Sequence, residues 1–113
     1  MKKVYIAGKI KGLSLSEVDK KFSEAQLHLL SKGYLAFNPF EYIKSINEIR
    51  ERAYTEILTD HNPAHRAIIL RLLTEKLLQC DMIYMLPCWQ DSQGAKYEKT
   101  VADMCGIENL EIF

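Results

Sequence analysis

The sequence predicts a single α/β domain over residues 1–113, built on a doubly wound parallel sheet of about four strands in the order 2-1-3-4. Short apolar runs, which are typical of strands buried on both faces, alternate with longer segments that have the apolar spacing of an α-helix. Glycine, asparagine or proline stands at most boundaries between these segments. A hydrophobic fraction of 48% in 113 residues is enough for one packed core.

The first strand and the first helix have well-marked boundaries. Residues 4–7 form an apolar run that Gly8 ends. Ser14 and Glu17 have the spacing of a capping box and predict a helix start, and Gly33 predicts the end of that helix. Between these positions the apolar residues recur at helical intervals, at Val18, Phe22, Ala25 and Leu29.

The middle of the chain carries weaker signals. Residues 34–37 are a second candidate for a buried strand, which Asn38 and Pro39 close. We predict an irregular loop over residues 40–44 and then a weakly amphipathic surface helix over residues 45–60.

The remaining segments predict two more helices and two more strands. Asn62 and Pro63 suit the N-cap and the first turn of a helix that ends near Gln79, and residues 82–86 form a third strand. A loop over residues 88–93 leads to a helix over residues 94–105, and residues 110–113 form a short last strand. The helix that starts at Pro63 has a broad apolar face, made of Ile68, Ile69, Leu72, Leu73 and Leu77.

This order of strands predicts where a ligand would bind. Parallel neighbours need a crossover connection, and right-handed crossovers place helices on both faces of the sheet. In the order 2-1-3-4 the first and third strands are neighbours whose crossovers leave in opposite directions. Open α/β sheets bind ligands beyond the carboxyl ends of the strands at such a switch point.

The loops at that edge carry residues suited to an anion. The segment from Gly8 to Gly12 follows the first strand, and Ser92, Gly94 and Glu98 lie together at a predicted helix start, with Glu98 in the first turn. Glycines let backbone N–H groups approach an anion, lysines add charge, and a helix N-terminus favours negative groups. A phosphate or sugar phosphate would fit there. Two alternatives remain. The glycines after the first strand can simply form a turn, and Glu98 can simply be a solvated residue at a helix start.

Composition excludes several classes of protein. A net charge of +0 and a pI near 6.8 disfavour binding to polymeric nucleic acid. The apolar stretches are far shorter than the about 20 residues that span a membrane. The three cysteines have no repeated spacing, which favours reduced thiols over a disulfide framework. We therefore expect a cytoplasmic protein that does not bind membranes.

We expect neither a metal nor a cofactor. His61 and His65 are four residues apart, as two zinc ligands on a helix would be, but no paired Cys-x-x-Cys accompanies them. A catalytic thiol at Cys88 would need a base, and no histidine is near it in the sequence.

Two segments and one dipeptide resemble a known group of enzymes. Residues 4–12 read VYIAGKIKG, residues 80–98 read CDMIYMLPCWQDSQGAKYE, and Asn38-Pro39 stands between them. These motifs resemble a bacterial and phage branch of small domains in the nucleoside 2-deoxyribosyltransferase-like superfamily, which is similar to 2′-deoxynucleoside 5′-phosphate N-hydrolases. The resemblance implies a flavodoxin-like, Rossmann-like sheet and a homodimer or higher homo-oligomer. It also implies cleavage or transfer at the N-glycosidic bond of a deoxynucleoside or deoxynucleoside 5′-monophosphate.

The same resemblance implies roles for individual residues. Glu98 matches a nucleophilic carboxylate, which a helix N-terminus would keep ionised, and Ser92 matches a hydroxyl that contacts the substrate phosphate. Tyr5 matches an aromatic residue at the floor of the site. Trp89 is a candidate to stack on the base, with packing as the alternative reading. The complete set of candidate substrate-binding residues is Tyr5, Gly8, Lys9, Ile10, Gly12, Asn38, Trp89, Ser92 and Gly94.

Three positions depart from the family pattern. Leu73 stands where the enzymes carry an acid on the helix before the third strand, Lys9 where proline is common, and Cys88 where glycine is common. Without the second acid, protonation of the leaving base lacks an obvious agent. A second interpretation therefore stands beside the enzyme, namely a nucleotide-binding or sensing module with little or no catalysis.

Overall fold

The computed structural model describes residues 1–46 and 63–111 and contains the predicted parallel sheet with helices on both faces. Its strands lie in the order β2-β1-β3-β4, and each neighbouring pair is parallel. The fold class and the strand order predicted from the sequence are therefore confirmed. No described helix is long and apolar enough to span a membrane.

The elements have the following bounds. The strands are β1 Lys3–Ala7, β2 Leu35–Phe37, β3 Met82–Met85 and β4 Glu108–Asn109. The helices are α1 Leu15–Ser31, α2 Pro39–Ser45, α3 Pro63–Leu78 and α4 Gln93–Met104, and a 3₁₀ turn at Trp89–Asp91 precedes α4.

Helix α2 replaces the irregular loop predicted over residues 40–44. Asn38 Oδ1 accepts hydrogen bonds from the backbone N–H groups of Phe40 and Glu41, at 3.0 and 3.2 Å. Pro39 occupies the first turn, where its missing N–H costs nothing. The prediction was wrong because it used Asn38-Pro39 only as the end of a strand, although the pair is also a strong helix start. The surface helix predicted over residues 45–60 lies outside the described residues apart from its first two positions.

Strand β4 lies earlier in the chain than the predicted strand over residues 110–113. Glu108 pairs with Met82 and Asn109 with Ile83, at the edge of the sheet. Both residues of β4 are exposed, so this edge strand has no apolar run that the sequence could have revealed. Of the predicted strand, residues 112–113 lie outside the described residues.

The core forms two layers because side chains alternate along β1. Val4 and Ile6 pack on the face covered by α1, whereas Tyr5 and Ala7 pack on the face covered by α3 and α4. All four are fully buried. The first layer is completed by Val18, Phe22, Ala25 and Leu29 of α1, and the second by Leu73 and Leu77 of α3 and Ala102 of α4.

Strands β1 and β3 are direct neighbours at the centre of the sheet. Tyr5 lies opposite Ile83, and Ile6 lies opposite Tyr84. The prediction that Tyr5 and Tyr84 stand on adjacent parallel strands is therefore confirmed. The chain leaves β1 towards α1 on one face and leaves β3 towards α4 on the other, which is the arrangement of a switch point.

The close approach of the ends of β1 and β3 generates a stability prediction for Gly8. A Cβ atom on Gly8 would lie 2.7 Å from Cδ1 and 3.0 Å from Cβ of Leu86, which is buried. Gly8→Ala should therefore lower the free energy of unfolding by about 1–3 kcal/mol, measured by urea denaturation.

Gly94→Ala is the matched control for this measurement. A Cβ atom there would meet only Ser92 Oγ, at 3.9 Å, and the residue is helical, so the free energy of unfolding should stay within about 1 kcal/mol of wild type. An equal loss in both variants would contradict the contact argument.

Candidate active site

A cavity of about 560 Å³ opens at the carboxyl edge of the sheet. This volume lies within the range of about 300–1,000 Å³ that is usual for small-molecule sites. The walls come from the loop after β1, from α2 and α3, and from the 3₁₀ turn and helix start that follow β3. The lining residues are Gly8, Lys9, Ile10, Lys11, Ile43, Arg66, Ile69, Leu70, Leu73, Asp91, Ser92, Gln93, Gly94, Ala95 and Glu98.

Glu98 is the buried carboxyl group of this cavity. Its residue is 6% exposed, and the hydroxyl of Tyr5 donates a hydrogen bond to its Oε2. Ala95, Glu98 and Ala102 are the buried residues of α4 and share one face of that helix. A glutamate in an otherwise apolar stripe was therefore the sequence signal for a buried carboxyl group.

Burial controls the ionisation of this pair. It raises the pKa of Glu98 to about 7, and the hydrogen bond from Tyr5 acts in the opposite direction. Burial, and next the charge of Glu98, raise the pKa of Tyr5 well above its usual value, so the phenol keeps its proton and remains the donor. The pair can therefore exist with Glu98 ionised or neutral near pH 7.

Two expectations about Glu98 need correction. The structure begins α4 at Gln93, so Glu98 is in the second helical turn, and the first turn holds no acidic residue. Because the favourable effect of a helix N-terminus falls off within its first turn, it does not offset the desolvation of a carboxyl group one turn further along. The pKa is raised rather than held low.

Ser92 fixes the start of α4 at the cavity wall. Its Oγ accepts a hydrogen bond from the backbone N–H of Ala95 at 3.1 Å, as an N-cap residue does. The half-buried Ser92 and Gly94 thus lie at the helix start on the same wall as Glu98.

The structure brings most of the predicted site residues together, but not all of them. Six of the ten line the cavity, namely Gly8, Lys9, Ile10, Ser92, Gly94 and Glu98. Tyr5 does not line it but donates a hydrogen bond to Glu98. Gly12 lies outside the cavity at a turn with φ of +85°, and Asn38 caps α2 and donates to Gln26. Trp89 lines a separate cavity of about 390 Å³. Lys99 Nζ lies 5.8 Å from the centre of the Trp89 ring.

Residues from α3 are the main part of the cavity that sequence reasoning missed. Arg66, Ile69 and Leu70 line the cavity together with Leu73 and the loop after β1. Their contribution depends on how α3 crosses the sheet, which local patterns do not show. The available signal was the stretch over residues 67–73, which is apolar except for Arg71, since a helix that is apolar on several faces contacts more than one partner.

The backbone conformation of Cys88 is unusual for a residue with a side chain. Its φ is +67°, and among the described residues it is the one non-glycine residue with positive φ. This left-handed conformation favours glycine, which is the residue common at this position in the family that the sequence resembles. Cys88 is exposed and lines the cavity that contains Trp89.

No cluster of three or more metal-ligating side chains occurs within residues 1–46 and 63–111. The zinc alternative rested on His61, which lies outside those ranges, and on His65, whose side chain is not described.

The sequence of this chain matches one known protein family. Residues 2–110 match the family described as "Domain of unknown function (DUF4406)". The chain belongs to this family. No curated protein matches the DUF4406 chain.

A similar solved structure is that of a 2-deoxyribosyltransferase from the psychrotolerant bacterium Bacillus psychrosaccharolyticus. It shares 17% identity with this DUF4406 chain, with a TM-score of 0.63 over 98% of this chain and 76% of the other. The DUF4406 chain therefore has the fold of a deoxyribosyltransferase.

The raised pKa of Glu98 predicts how stability depends on pH. The folded protein binds this proton more tightly than the unfolded chain does, so the stability that Glu98 contributes is complete below about pH 4.5 and is lost as the pH rises through about 7. Glu98→Gln removes this dependence. The free energy of unfolding of Glu98→Gln relative to wild type should therefore rise between pH 4 and pH 8, by on the order of 3 kcal/mol.

Urea denaturation of both proteins at several pH values measures the difference between their free energies of unfolding. The other titrating groups are the same in both proteins, so their contributions cancel in this difference. A constant difference across the range would contradict a buried carboxyl group with a raised pKa.

Proposed function

We propose that the protein cleaves or transfers the N-glycosidic bond of a deoxynucleoside or deoxynucleoside 5′-monophosphate, with the Glu98 carboxylate as nucleophile. The observation that carries the proposal is a buried carboxyl group, held by Tyr5, in the wall of a cavity at the switch point. The deoxyribosyltransferase fold supports it.

The proposed chemistry has two steps. In the first, a Glu98 oxygen bonds to C1′ while the C1′–N bond breaks, and the electron pair of that bond leaves with the base, which then takes up a proton. The product is a deoxyribosyl ester of Glu98. In the second, water or the nitrogen of another base attacks C1′, and the carboxylate leaves.

Tyr5 positions the nucleophile in this scheme. Its hydroxyl binds Oε2 of Glu98, so Oε1 is the oxygen that attacks C1′. Donation to the charged form also favours the ionised carboxylate that the reaction needs. Because the pKa of Glu98 is about 7, activity that depends on ionised Glu98 increases as the pH rises through that value.

Other residues of the cavity wall would bind the substrate or exclude water. The Ser92 hydroxyl and the backbone around Gly8 and Gly94 would contact sugar and phosphate oxygens. The apolar side chains of the α3 wall, including Leu73, would exclude water from the reacting bond.

A nucleotide-binding or sensing module is the second candidate function. The observation that favours it is Leu73, which lies in the cavity wall with 6% exposure at the position where the related enzymes carry an acid. A site with Glu98 and without that acid could bind a nucleotide and cleave it slowly.

We also propose that the protein forms a homodimer or a higher homo-oligomer in the cytoplasm. Ile68 and Leu78 of α3 are each 53% exposed, and a second copy would cover them. Unpaired cysteines and a nucleotide substrate suit that compartment.

Replacement of Glu98 tests the proposed chemistry. Glu98→Gln keeps the size and most hydrogen bonding of the side chain but removes the charge that meets the developing cation at C1′. Release of free base from deoxynucleosides and their monophosphates, measured by chromatography, should fall by at least about a hundredfold.

Glu75→Gln is the matched control, because Glu75 is an exposed acid on α3 outside the cavity, and it should release base at the wild-type rate. Undiminished base release by Glu98→Gln would contradict the mechanism. Nucleotide binding without base release by wild type would favour the sensing module.

A further inference from the structure

Two cations from separate elements line the cavity that contains Glu98. Lys9 lies in the loop after β1 and is half-buried, and Arg66 lies near the start of α3 and is exposed. Within residues 1–46 and 63–111, no ion pair or hydrogen bond involves the side chain of either residue. Their charges are therefore available to a ligand in the cavity.

The charge of the cavity wall contrasts with that of the whole chain, whose net charge is +0. Among the described lining residues, Lys9, Lys11 and Arg66 are cations, and Asp91 and Glu98 are acids. Glu98 is buried beside Tyr5, and its pKa of about 7 leaves it only partly charged at neutral pH. Lys9 and Arg66 are thus two positive charges in the described wall of the cavity that contains the group proposed to react.

The identity of the cations indicates a phosphate. A guanidinium can donate two parallel hydrogen bonds to a phosphate group, and a lysine ammonium adds a compact charge from another direction. A nucleoside has no anionic group for these two side chains. A 5′-monophosphate carries one or two negative charges on a phosphate group, which is joined through O5′ to the carbon next to the sugar ring.

We infer that Lys9 and Arg66 bind the 5′-phosphate of a deoxynucleoside 5′-monophosphate, and that they make the nucleotide rather than the free nucleoside the ligand of this cavity. This inference rests on the proposed function, because that proposal places the sugar at Glu98 in the same cavity. Arg66 is thereby a specificity-determining residue supplied by α3.

Binding to the Glu98→Gln protein tests this inference without turnover. Isothermal titration would compare each common deoxynucleoside 5′-monophosphate with its nucleoside, its 3′-monophosphate and inorganic phosphate. At least one 5′-monophosphate should bind about tenfold or more tighter than its nucleoside, and also tighter than the 3′-monophosphate and inorganic phosphate.

Substitutions then connect the preference to the two cations. Arg66→Gln and Lys9→Gln should each reduce the ratio of nucleotide to nucleoside affinity by about tenfold or bring it to one. Arg71→Gln is the matched control, since Arg71 is exposed on the same helix and does not line the cavity. It should keep the full preference for the nucleotide.

Several results would overturn the inference. These are equal affinity for nucleotide and nucleoside, an undiminished preference in both Arg66→Gln and Lys9→Gln, or no binding of any 5′-monophosphate at millimolar concentration. Equally tight binding of inorganic phosphate would show a general anion site, and equally tight binding of a 3′-monophosphate would refute the 5′ assignment.

Failure of the proposed function gives a different result. Wild-type protein would then release no base from any substrate, yet the affinity ratios and their dependence on Arg66 would still be measurable. Conversely, base release with equal efficiency from nucleosides and nucleotides would support the function and overturn the inference.

Discussion

The hydrogen bond from Tyr5 to Glu98 connects the central strand of the sheet to helix α4, and the arrangement of the site depends on it. Both groups are buried, and each would be costly to bury alone. Each provides the hydrogen-bond partner that the other needs, and no buried side-chain polar atom in the described part of the chain lacks a partner. The bond thus holds a carboxyl group at the cavity wall in one orientation.

The surroundings of that bond account for the reactivity we propose. Leu73, Leu77 and Ala102 form the apolar layer that contains Tyr5, and burial there raises the pKa of Glu98. The same low polarity that makes an ionised Glu98 costly strengthens its attraction to a positive charge at C1′. Ionisation of Glu98 therefore lowers the free energy of unfolding at neutral pH, whereas the proposed catalysis needs the ionised form. Such a trade-off between stability and activity is common at functional sites.

The sequence was most informative where one local pattern decides the structure. Apolar runs followed by Gly8 or Pro87 identified β1 and β3, and the alternation of strands with helices gave their order. It failed at α2, where one dipeptide both ends a strand and starts a helix, and at β4, whose exposed edge residues need no apolar pattern.

For the site, sequence order predicted Ser92 and Glu98 near the loop after β1, because parallel strands end at the same edge. All of these residues line one cavity. The sequence could not place Arg66 in this cavity or Trp89 in the separate one, since both placements depend on how separate elements cross in space. Nor could the sequence give the ionisation of Glu98, because the pKa depends on burial and on the hydrogen bond from Tyr5 rather than on position along α4.

The central claim is that the carboxylate of Glu98 forms a covalent bond to C1′ of the substrate. The most direct test is to stop the reaction with acid during turnover and to examine the digested protein by mass spectrometry. Our account predicts a deoxyribosyl group, with its phosphate where the substrate is a nucleotide, on the peptide that contains Glu98, and no such group in Glu98→Gln. Turnover without this adduct, or an adduct on a different residue, would contradict it.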